Sequence, residues 1–270
     1  WSDFVTLCID NSLQGLESLI GIPGTVGASS VQNIGAYGGQ MADNFVFATV
    51  YNRQTQKVQI LKKNNMEFAY RNSLLKKTHN QWHLSQYIIL SVSFQLQKSS
   101  DAKIRDSQLA KALDCQINHK VKLKTIAEKL LEIRANKGTL IDPKQRLNGF
   151  NTFDKKIKYN YNRWSCGSFF VNPIVNNKLA NSLPDLTPKY KTDKGYKLSA
   201  AWLIEAAGIN KGFGLNKLAR VSNLNSLALT NRGQAKSADI FKLANYIMDK
   251  VYKKFKVKLI PEVNIINLTK

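Results

Sequence analysis

A glycine-rich segment near the start of the chain has the composition of a loop that binds an anion. Residues 21–39 contain six glycines and several other small residues within 19 positions. Glycine adopts positive φ angles readily and has no side chain, so backbone N–H groups in such a segment can approach a phosphate closely. The segment is not a Walker loop, because no Gly-Lys-Ser/Thr follows it, and it lacks the GxGxxG dinucleotide fingerprint. An ordinary loop is the alternative interpretation.

Two further segments hold a charged side chain among apolar residues. FAYRNS, at 68–73, places Arg71 directly after Tyr70. A guanidinium there could bind a carboxylate or a phosphate through two parallel hydrogen bonds, although a surface ion pair is the other interpretation. LIPEV, at 259–263, places Glu262 on a predicted strand. A carboxylate buried there needs a partner or has a raised pKa, whereas one on an edge strand faces water.

The segment WSCGSFFVNP, at 164–173, contains a serine that could carry chemistry. Gly167 precedes Ser168 and could expose its hydroxyl, with two phenylalanines behind it as anchors. The segment is not a hydrolase nucleophile elbow, because GxSxG is absent. A turn into a core strand is the alternative, and we interpret Cys166 as a small buried thiol.

The elements around these residues mix strands with helices and show no clean βαβ repeat, so we predict an α+β fold. Runs of β-branched and aromatic residues predict strands over 45–51, 57–61, 87–96 and 257–266, with strand-like segments in 219–230. Apolar residues at helical spacing predict helices within 1–20 and over 107–114, 123–137, 199–207 and 237–255. Residues 138–163 are polar and irregular, which indicates a boundary or an inserted loop.

The strong positive charge of the chain has two interpretations. The 270 residues carry a formal net charge of +22, and only 8 of the 40 basic residues are arginine. Such a charge is typical of nucleic-acid binding. The lysines are scattered and form no single stripe, however, so we attribute the charge to lysine-rich composition and expect no nucleic-acid partner. A basic surface would still attract anionic nucleotide substrates.

Cysteine content and hydropathy narrow the class of protein. Three widely spaced cysteines argue against a disulfide framework and fit a reducing cytoplasm. No CxxC pair or histidine cluster suggests a metal, so we expect none. No apolar run reaches the roughly 18 residues that a membrane span needs. We therefore expect a cytoplasmic protein without a membrane partner, and a monomer.

The order of these motifs resembles one known family. GLE at 15–17, IPGTVGASSVQNIGAYG at 22–38, FAYR at 68–71, GSFFVNP at 167–173, AWLI at 201–204 and PEV at 261–263 closely resemble the UDP-N-acetylenolpyruvoylglucosamine reductases. The likeness runs from about residue 1 to the end, and the glycine-rich and GSFF motifs are highly specific. The resemblance implies three parts: the C-terminal portion of a vanillyl-alcohol-oxidase-type FAD-binding domain in 1–97, a helical connection in 98–140, and an α+β substrate-binding domain in 141–270. The last strand of that domain is expected to return toward the N-terminal domain.

The resemblance also implies a reaction. In that family NADPH gives a hydride to FAD, and the hydride then passes to the enolpyruvyl double bond of a UDP-sugar, which yields UDP-N-acetylmuramate for peptidoglycan. Ser168 matches the family's proton donor, Arg71 the arginine that polarises the substrate carboxylate, and Glu262 the glutamate that assists protonation. A neutral serine is a weak acid, so its role requires charged groups such as Arg71 and Glu262 beside it.

Binding residues are carried over in the same way. The positions that match substrate contacts are Tyr70, Lys137, Asn172 and Asn225. The positions expected to face or pack against FAD are Gly24, Thr25, Gly27, Ala28, Asn33, Gly35, Ala36, Gly38 and Ile89.

The chain departs from the family pattern in three places. A subgroup of the family offers a tyrosine to the UDP end of the substrate, where this chain has IRDSQL at 104–109. Residues 142–163 are longer and more basic than the usual link. The family's first glycine-rich FAD loop precedes the position of Trp1, so we expect the chain to begin inside a longer protein.

Three other functions stay open at this stage. The chain could be another FAD-linked oxidase of the same fold that uses oxygen, although GSFF and PEV together argue against it. It could be a basic nucleic-acid-binding protein derived from this fold, or a decayed fragment that has kept the motifs without the activity.

Overall fold

A computed structural model describes residues 1–78, 85–140 and 161–265 of the chain. Within those ranges the residues form two compact units. The first comprises the described part of Trp1–Ala135, and the second comprises residues 136–140 together with 161–265. Each unit mixes helices and strands, as the predicted α+β class requires. No helix in the described ranges is both long enough and apolar enough to cross a membrane.

The first unit is built mainly from short antiparallel strands. In chain order its elements are α1 (Ser2–Asp10), β1 (Leu13–Gln14), α2 (Val26–Ser29), β2 (Gly35–Ala36), β3 (Gly39–Gln40), β4 (Phe45–Asn52), β5 (Lys57–Lys62), α3 (Leu74–Lys77), β6 (Tyr87–Phe94), β7 (Gln97–Lys98), β8 (Asp101–Lys103), α4 (Ser107–Ala112), β9 (Lys120–Lys122) and α5 (Leu123–Asn136). The glycine-rich segment of the sequence therefore contains α2 and the small hairpin of β2 with β3.

Strand β4 is the centre of the largest sheet in this unit, which is antiparallel and has the order β5-β4-β6. Ala48, Val50 and Asn52 of β4 are buried, whereas the residues between them are only partly covered. This alternation is the period of two that a strand with one buried face requires. Val50 pairs with Ile89 of β6, so the sheet fixes the position of Ile89.

The second unit has one hydrophobic core. Its elements are β10 (Ile174–Val175), α6 (Asn177–Asn181), β11 (Lys189–Thr192), β12 (Gly195–Leu198), α7 (Ala200–Ala206), β13 (Ala219–Val221), β14 (Leu229–Asn231) and α8 (Ser237–Phe255). The buried residues of α8, among them Leu243, Ile247 and Val251, recur every four positions and face the core. Leu203 of α7 and Phe170 belong to the same core cluster.

The strand predicted over 257–266 is wrong for the part of it that the structure describes. Residues 257–260 form no strand. The segment pairs with 169–171 through one isolated β-bridge, between Phe170 and Pro261. Proline has no backbone N–H, so Pro261 cannot extend a ladder in both directions. The helix predicted within 1–20 is α1, which ends at Asp10.

The division between the units falls near residue 135, and residues 98–135 belong to the first unit. The separate helical connection over 98–140, which the resemblance implies, stays a prediction. Most of the predicted irregular segment 138–163 lies outside the described residues. The assignment of the two units to flavin and to substrate stays a prediction.

Candidate active site

Arg71 is held against the glycine-rich segment. It occupies a tight turn that two backbone hydrogen bonds between Ala69 and Asn72 close, at 3.0 and 3.1 Å. Its φ angle is +52°, which is uncommon for a residue with a side chain. The Nη2 group donates to the carbonyl oxygen of Gly35 at 3.0 Å, and the guanidinium carbon lies 5.2 Å from the ring centroid of Tyr70. The structure therefore brings together Arg71, Tyr70 and a predicted flavin-facing glycine.

Further polar contacts join the Arg71 segment to the glycine-rich segment. The Nζ of Lys76 donates to the carbonyl oxygen of Arg71 and to Oε1 of Gln32, both at 3.2 Å. The hydroxyl of Ser73 is buried and donates to the carbonyl oxygen of Val31 at 2.5 Å. These bonds hold the turn on both sides, so the backbone position of Arg71 does not depend on one contact.

Asn33 is buried and uses both ends of its carboxamide inside the first unit. Its Oδ1 accepts from the amide of Ala42 at 2.9 Å. Its Nδ2 donates to Oε1 of Gln40 at 3.0 Å and to the carbonyl oxygen of Ala69 at 3.3 Å. A flavin role for Asn33 would therefore act through the loop that it positions, because its own side chain is engaged with the protein.

The first part of the glycine-rich segment leaves backbone open on one side. Gly24 has a φ angle of +121°, and a Cβ added there would meet nothing within 4 Å. The hydroxyl of Thr25 accepts from the amide of Ala28 at 3.1 Å and so begins α2. Gly27 packs on Ile89, whose Cγ2 would lie 3.3 Å from a Cβ at Gly27. Ile89 is thus in contact with the segment, and the contact needs a small residue at position 27.

Arg134 is a residue that the sequence analysis missed. A Cβ added to Gly21 would lie 2.8 Å from Cδ of Arg134, and the guanidinium carbon is 5.5 Å from the ring centroid of Tyr37. Arg134 therefore touches both ends of the glycine-rich segment. Burial lowers the pKa of Arg134, and the nearby phenol of Tyr37 opposes that shift. The sequence offered one indication of this role: Arg134 lies three residues before the predicted substrate contact Lys137.

A cleft of about 570 Å³ opens beside the hairpin of β2 and β3. Tyr37, Gly39 and Arg105 are among the residues that line it. Gly38, at the turn between Ala36 and Gly39, has a φ angle of +79°, and a Cβ there would lie 2.7 Å from Cβ of Arg105. The cleft is not lined by Arg71, so the structure places the predicted catalytic arginine outside this opening.

The second unit exposes Ser168 in front of two buried phenylalanines. Gly167 has a φ angle of +76° and open space around its α-carbon, and Ser168 is exposed directly after it. The chain then enters the core, because Phe169 and Phe170 are buried and the amide of Phe169 donates to the carbonyl oxygen of Leu227 at 2.7 Å. The exposure of Ser168 and the anchoring by the phenylalanines are as the sequence predicted. The interpretation of Cys166 as a buried thiol is wrong, because Cys166 is exposed.

Glu262 lies on the segment that pairs with the Ser168 segment. Its amide donates to the carbonyl oxygen of Phe169 at 2.8 Å, and the amide of Val171 donates to the carbonyl oxygen of Ile260 at 3.0 Å. Glu262 is partly buried. The structure therefore brings Ser168 and Glu262 onto two neighbouring segments of the second unit, whereas Arg71 belongs to the first unit.

Two of the predicted substrate contacts use their carboxamide oxygens to shape the backbone. Oδ1 of Asn172 accepts from the amide of Ala200 at 2.9 Å, at the start of α7. Oδ1 of Asn225 accepts from the amide of Leu227 at 3.0 Å. The side-chain nitrogen is then the atom of each that can donate to a phosphate. Lys137 is partly exposed just after α5.

The part of the chain that the structure describes contains no cluster of side chains suited to bind a metal ion. No group of three or more His, Cys, Asp or Glu side chains there could hold an ion.

Comparisons with known proteins agree with the arrangement of these segments. Residues 158–266 match the family described as "UDP-N-acetylenolpyruvoylglucosamine reductase, C-terminal domain". The reductase of Mycolicibacterium gilvum is 36% identical over 97% of this chain and 71% of its own length. That of Thermobifida fusca is 36% identical over the whole of this chain and 73% of its own length.

A solved structure shows the same fold. The crystal structure of the reductase from Thermus caldophilus aligns with a TM-score of 0.58 at 22% identity, over 97% of this chain and 68% of that one. The two bacterial relatives are 36% identical over at least 97% of this chain, and so the chain belongs to the UDP-N-acetylenolpyruvoylglucosamine reductase family.

Proposed function

We propose that the protein reduces the enolpyruvyl group of UDP-N-acetylglucosamine enolpyruvate to give UDP-N-acetylmuramate, a precursor of peptidoglycan. NADPH is the source of the hydride, and FAD is the carrier. The observation that carries this proposal is the pairing of residues 169–171 with 260–262, which sets the exposed Ser168 beside the segment of Glu262. In the same proposal the first unit serves the flavin and the second unit serves the substrate.

The residues of the glycine-rich segment fit a flat cofactor that carries phosphates. The backbone at Gly24 faces open space, and Gly27 and Ile89 form an apolar contact beside it. The buried guanidinium of Arg134 adds positive charge next to Gly21 and Tyr37. FAD bound there would supply the transfer of a hydride from NADPH to the substrate.

Three side chains of the protein then have separate tasks. When a hydride adds to the terminal carbon of the enolpyruvyl group, the π bond of the carbon–carbon double bond breaks, and negative charge develops on the adjacent carbon and its carboxylate. Arg71 binds that carboxylate and stabilises the developing charge. Ser168 donates a proton to the adjacent carbon, which forms the second carbon–hydrogen bond. Glu262 assists this protonation, and the proton that the hydroxyl gives up is replaced from water.

We also propose a cellular compartment, an oligomeric state and small-molecule partners for the protein. Cys8, Cys115 and Cys166 are free thiols in the structure, which fits a reducing cytoplasm. We expect the protein to act there as a monomer, with the UDP-sugar and NADPH as its small-molecule partners. Sedimentation at micromolar concentration tests the monomer, and a dimer mass would contradict it.

The test of the function is steady-state oxidation of NADPH by the protein loaded with FAD. We expect oxidation that depends on the enolpyruvyl sugar and gives one UDP-N-acetylmuramate for each NADPH consumed. Oxidation that needs only oxygen and yields peroxide would point to an oxidase instead, and no turnover at all would overturn the assignment.

A further inference from the structure

Lys76 has no role in the reaction proposed above, yet its ammonium group contacts the backbone of the proposed catalytic arginine. The residue lies in α3, which Ser73 begins by accepting a hydrogen bond from the amide of Lys76 at 3.4 Å. Its Nζ donates to the carbonyl oxygen of Arg71 and to Oε1 of Gln32, each at 3.2 Å. Lys76 is partly buried, whereas the next residue, Lys77, is exposed. Two adjacent lysines of one short helix therefore have different surroundings.

Arg71 has a backbone conformation that is unfavourable for a residue with a side chain. It is the third residue of the four-residue turn that Ala69 and Asn72 close, and its φ angle is +52°. A positive φ angle at the third position of a turn is typical of glycine or asparagine. For other residues it costs free energy, and it persists only where the surrounding structure holds it in place. The conformation of Arg71 therefore depends on contacts from outside the turn.

The ammonium group of Lys76 supplies one such contact. A hydrogen bond from a charged donor is stronger than one between neutral groups, and this bond ends on the carbonyl oxygen of Arg71 itself. Ser73 instead holds the neighbouring backbone, through the hydrogen bond from its hydroxyl to the carbonyl oxygen of Val31. Lys76 therefore restrains the peptide group that directly follows Arg71.

The second hydrogen bond of Lys76 links the turn to the glycine-rich segment. Gln32, which accepts that bond, lies three residues before Gly35. The carbonyl oxygen of Gly35 accepts the hydrogen bond from Nη2 of Arg71 at 3.0 Å. One short stretch of the segment thus receives both the ammonium of Lys76 and the guanidinium of Arg71. Loss of the ammonium would free the turn to move relative to the stretch on which the guanidinium rests.

We infer that Lys76 is a positioning residue for Arg71: it restrains the left-handed conformation of Arg71 and so directs the guanidinium towards the carboxylate of the substrate. The inference rests on the proposed function, from which it takes the role of Arg71. The effect of Lys76 passes through Arg71 and requires no contact with the substrate. Loss of Lys76 should therefore slow the reduction of the sugar, in which negative charge develops on the carboxylate, and leave the reduction of the flavin unchanged.

The test is stopped-flow measurement of both half-reactions in the protein loaded with FAD. Lys76→Met keeps an unbranched side chain and removes the charge. Because a misplacement of about 1 Å can cost roughly a hundredfold in rate, reoxidation of the flavin by saturating enolpyruvyl sugar should slow by roughly ten- to a hundredfold. Bleaching of the flavin by NADPH should keep its wild-type rate. Lys76→Arg, which retains a charged donor, should recover much of the lost rate.

Lys77→Met is the matched control. Lys77 is the adjacent lysine of α3, and its Nζ forms an ion pair with Glu67 at the surface. Both half-reactions of this variant should have wild-type rates. Circular dichroism checks folding, and if Lys76→Met does not fold, Lys76→Gln, which retains a neutral donor, is compared with the wild type in the same way.

A double-mutant cycle distinguishes positioning from a general structural role. In an Arg71→Ala background, Lys76→Met should slow reoxidation no further, because the group through which Lys76 acts is absent. A crystal structure of Lys76→Met gives a second measure that does not depend on activity. It should show Nη2 of Arg71 outside hydrogen-bond distance of the carbonyl oxygen of Gly35.

Each outcome decides the inference. Unchanged rates in Lys76→Met, equal slowing of both half-reactions, or the same loss with and without Arg71 would each overturn it. An unmoved guanidinium in the crystal structure of the variant would do so too. A wild-type protein whose flavin the sugar does not reoxidise would overturn the proposed function and the inference together. Turnover in the wild type with no effect of Lys76→Met would overturn the inference alone.

Discussion

The Nη2 of Arg71 donates a hydrogen bond of 3.0 Å to the carbonyl oxygen of Gly35. A Cβ at position 35 would lie 3.4 Å from Nη1 of Arg71, which is ordinary contact, but only 3.1 Å from the carbonyl oxygen of Gly39, so a side chain there would shift the hairpin of β2 and β3 that carries the acceptor of Arg71. The catalytic role proposed for Arg71 therefore depends on a glycine far from it in sequence.

Gly35→Ala should displace the guanidinium of Arg71 without unfolding the protein. A displacement of about 1 Å can reduce the rate roughly a hundredfold, so we expect kcat/KM for the enolpyruvyl sugar to fall on that scale. Stopped-flow measurement of the two half-reactions checks the prediction, with far-UV circular dichroism as the control for folding. Equal rates in the variant and the wild type would show that Arg71 is not positioned through Gly35.

Ser168→Ala should separate the two half-reactions. The loss of a proton donor should slow reduction of the sugar by roughly 10² to 10⁴, while reduction of the flavin by NADPH stays intact. Ser182→Ala is the matched control, because Ser182 is another exposed serine of the second unit. Its hydroxyl donates a hydrogen bond to the carbonyl oxygen of Leu179. If Ser168→Ala slowed both half-reactions together, its role would be binding or folding and not protonation.

The buried thiol of Cys8 should make stability depend on pH. Burial raises the pKa of Cys8. The folded state then holds this proton more tightly than the unfolded state, whose thiol has a pKa of about 8.5. The protonated thiol therefore stabilises the folded state fully below about pH 8.5, and this stabilisation is lost as the pH rises through the pKa of Cys8 in the folded state.

The measurement is the free energy of unfolding in urea at pH 7 and at pH 9.5, for the wild type and for Cys8→Ala. The wild type should lose more stability between the two values than the variant does. Cys166, which is exposed, should react with an alkylating reagent before Cys8. A reaction of Cys8 ahead of Cys166 would contradict the burial of Cys8.

The core of the second unit should be sensitive to truncation. Leu203 is fully buried in the cluster of α7 and α8, so Leu203→Ala should reduce the free energy of unfolding by about 2–5 kcal/mol. Leu186→Ala is the control, because Leu186 is 85% exposed and its truncation should change stability by less than about 0.5 kcal/mol. Equal effects of the two substitutions would place Leu203 outside the core.

Local patterns predicted the long elements well. The run of β-branched and aromatic residues at 45–51 became β4, and the apolar spacing of 237–255 became α8 with the same bounds. Each segment is long enough for its apolar residues to show a single period, that of a strand for β4 and that of a helix for α8. The segment at 257–266 had strand-like composition, but a ladder depends on what pairs with it, and Pro261 permits only a bridge.

In the candidate site, too, local features could be predicted from the sequence and long-range contacts could not. The exposure of Ser168 could be predicted, since a glycine before it and two phenylalanines after it act locally. The contacts of Arg134 with Gly21 and Tyr37, and of Lys76 with Gln32, join residues far apart in the chain. No spacing rule connects such residues, so only the folded chain shows them.

The most direct test is anaerobic spectroscopy of the protein loaded with FAD. NADPH is added first to bleach the flavin absorbance, and UDP-N-acetylglucosamine enolpyruvate is added second. The proposal predicts that the absorbance recovers as the sugar is reduced. A flavin that is bleached by NADPH and stays bleached when the sugar is added would contradict it.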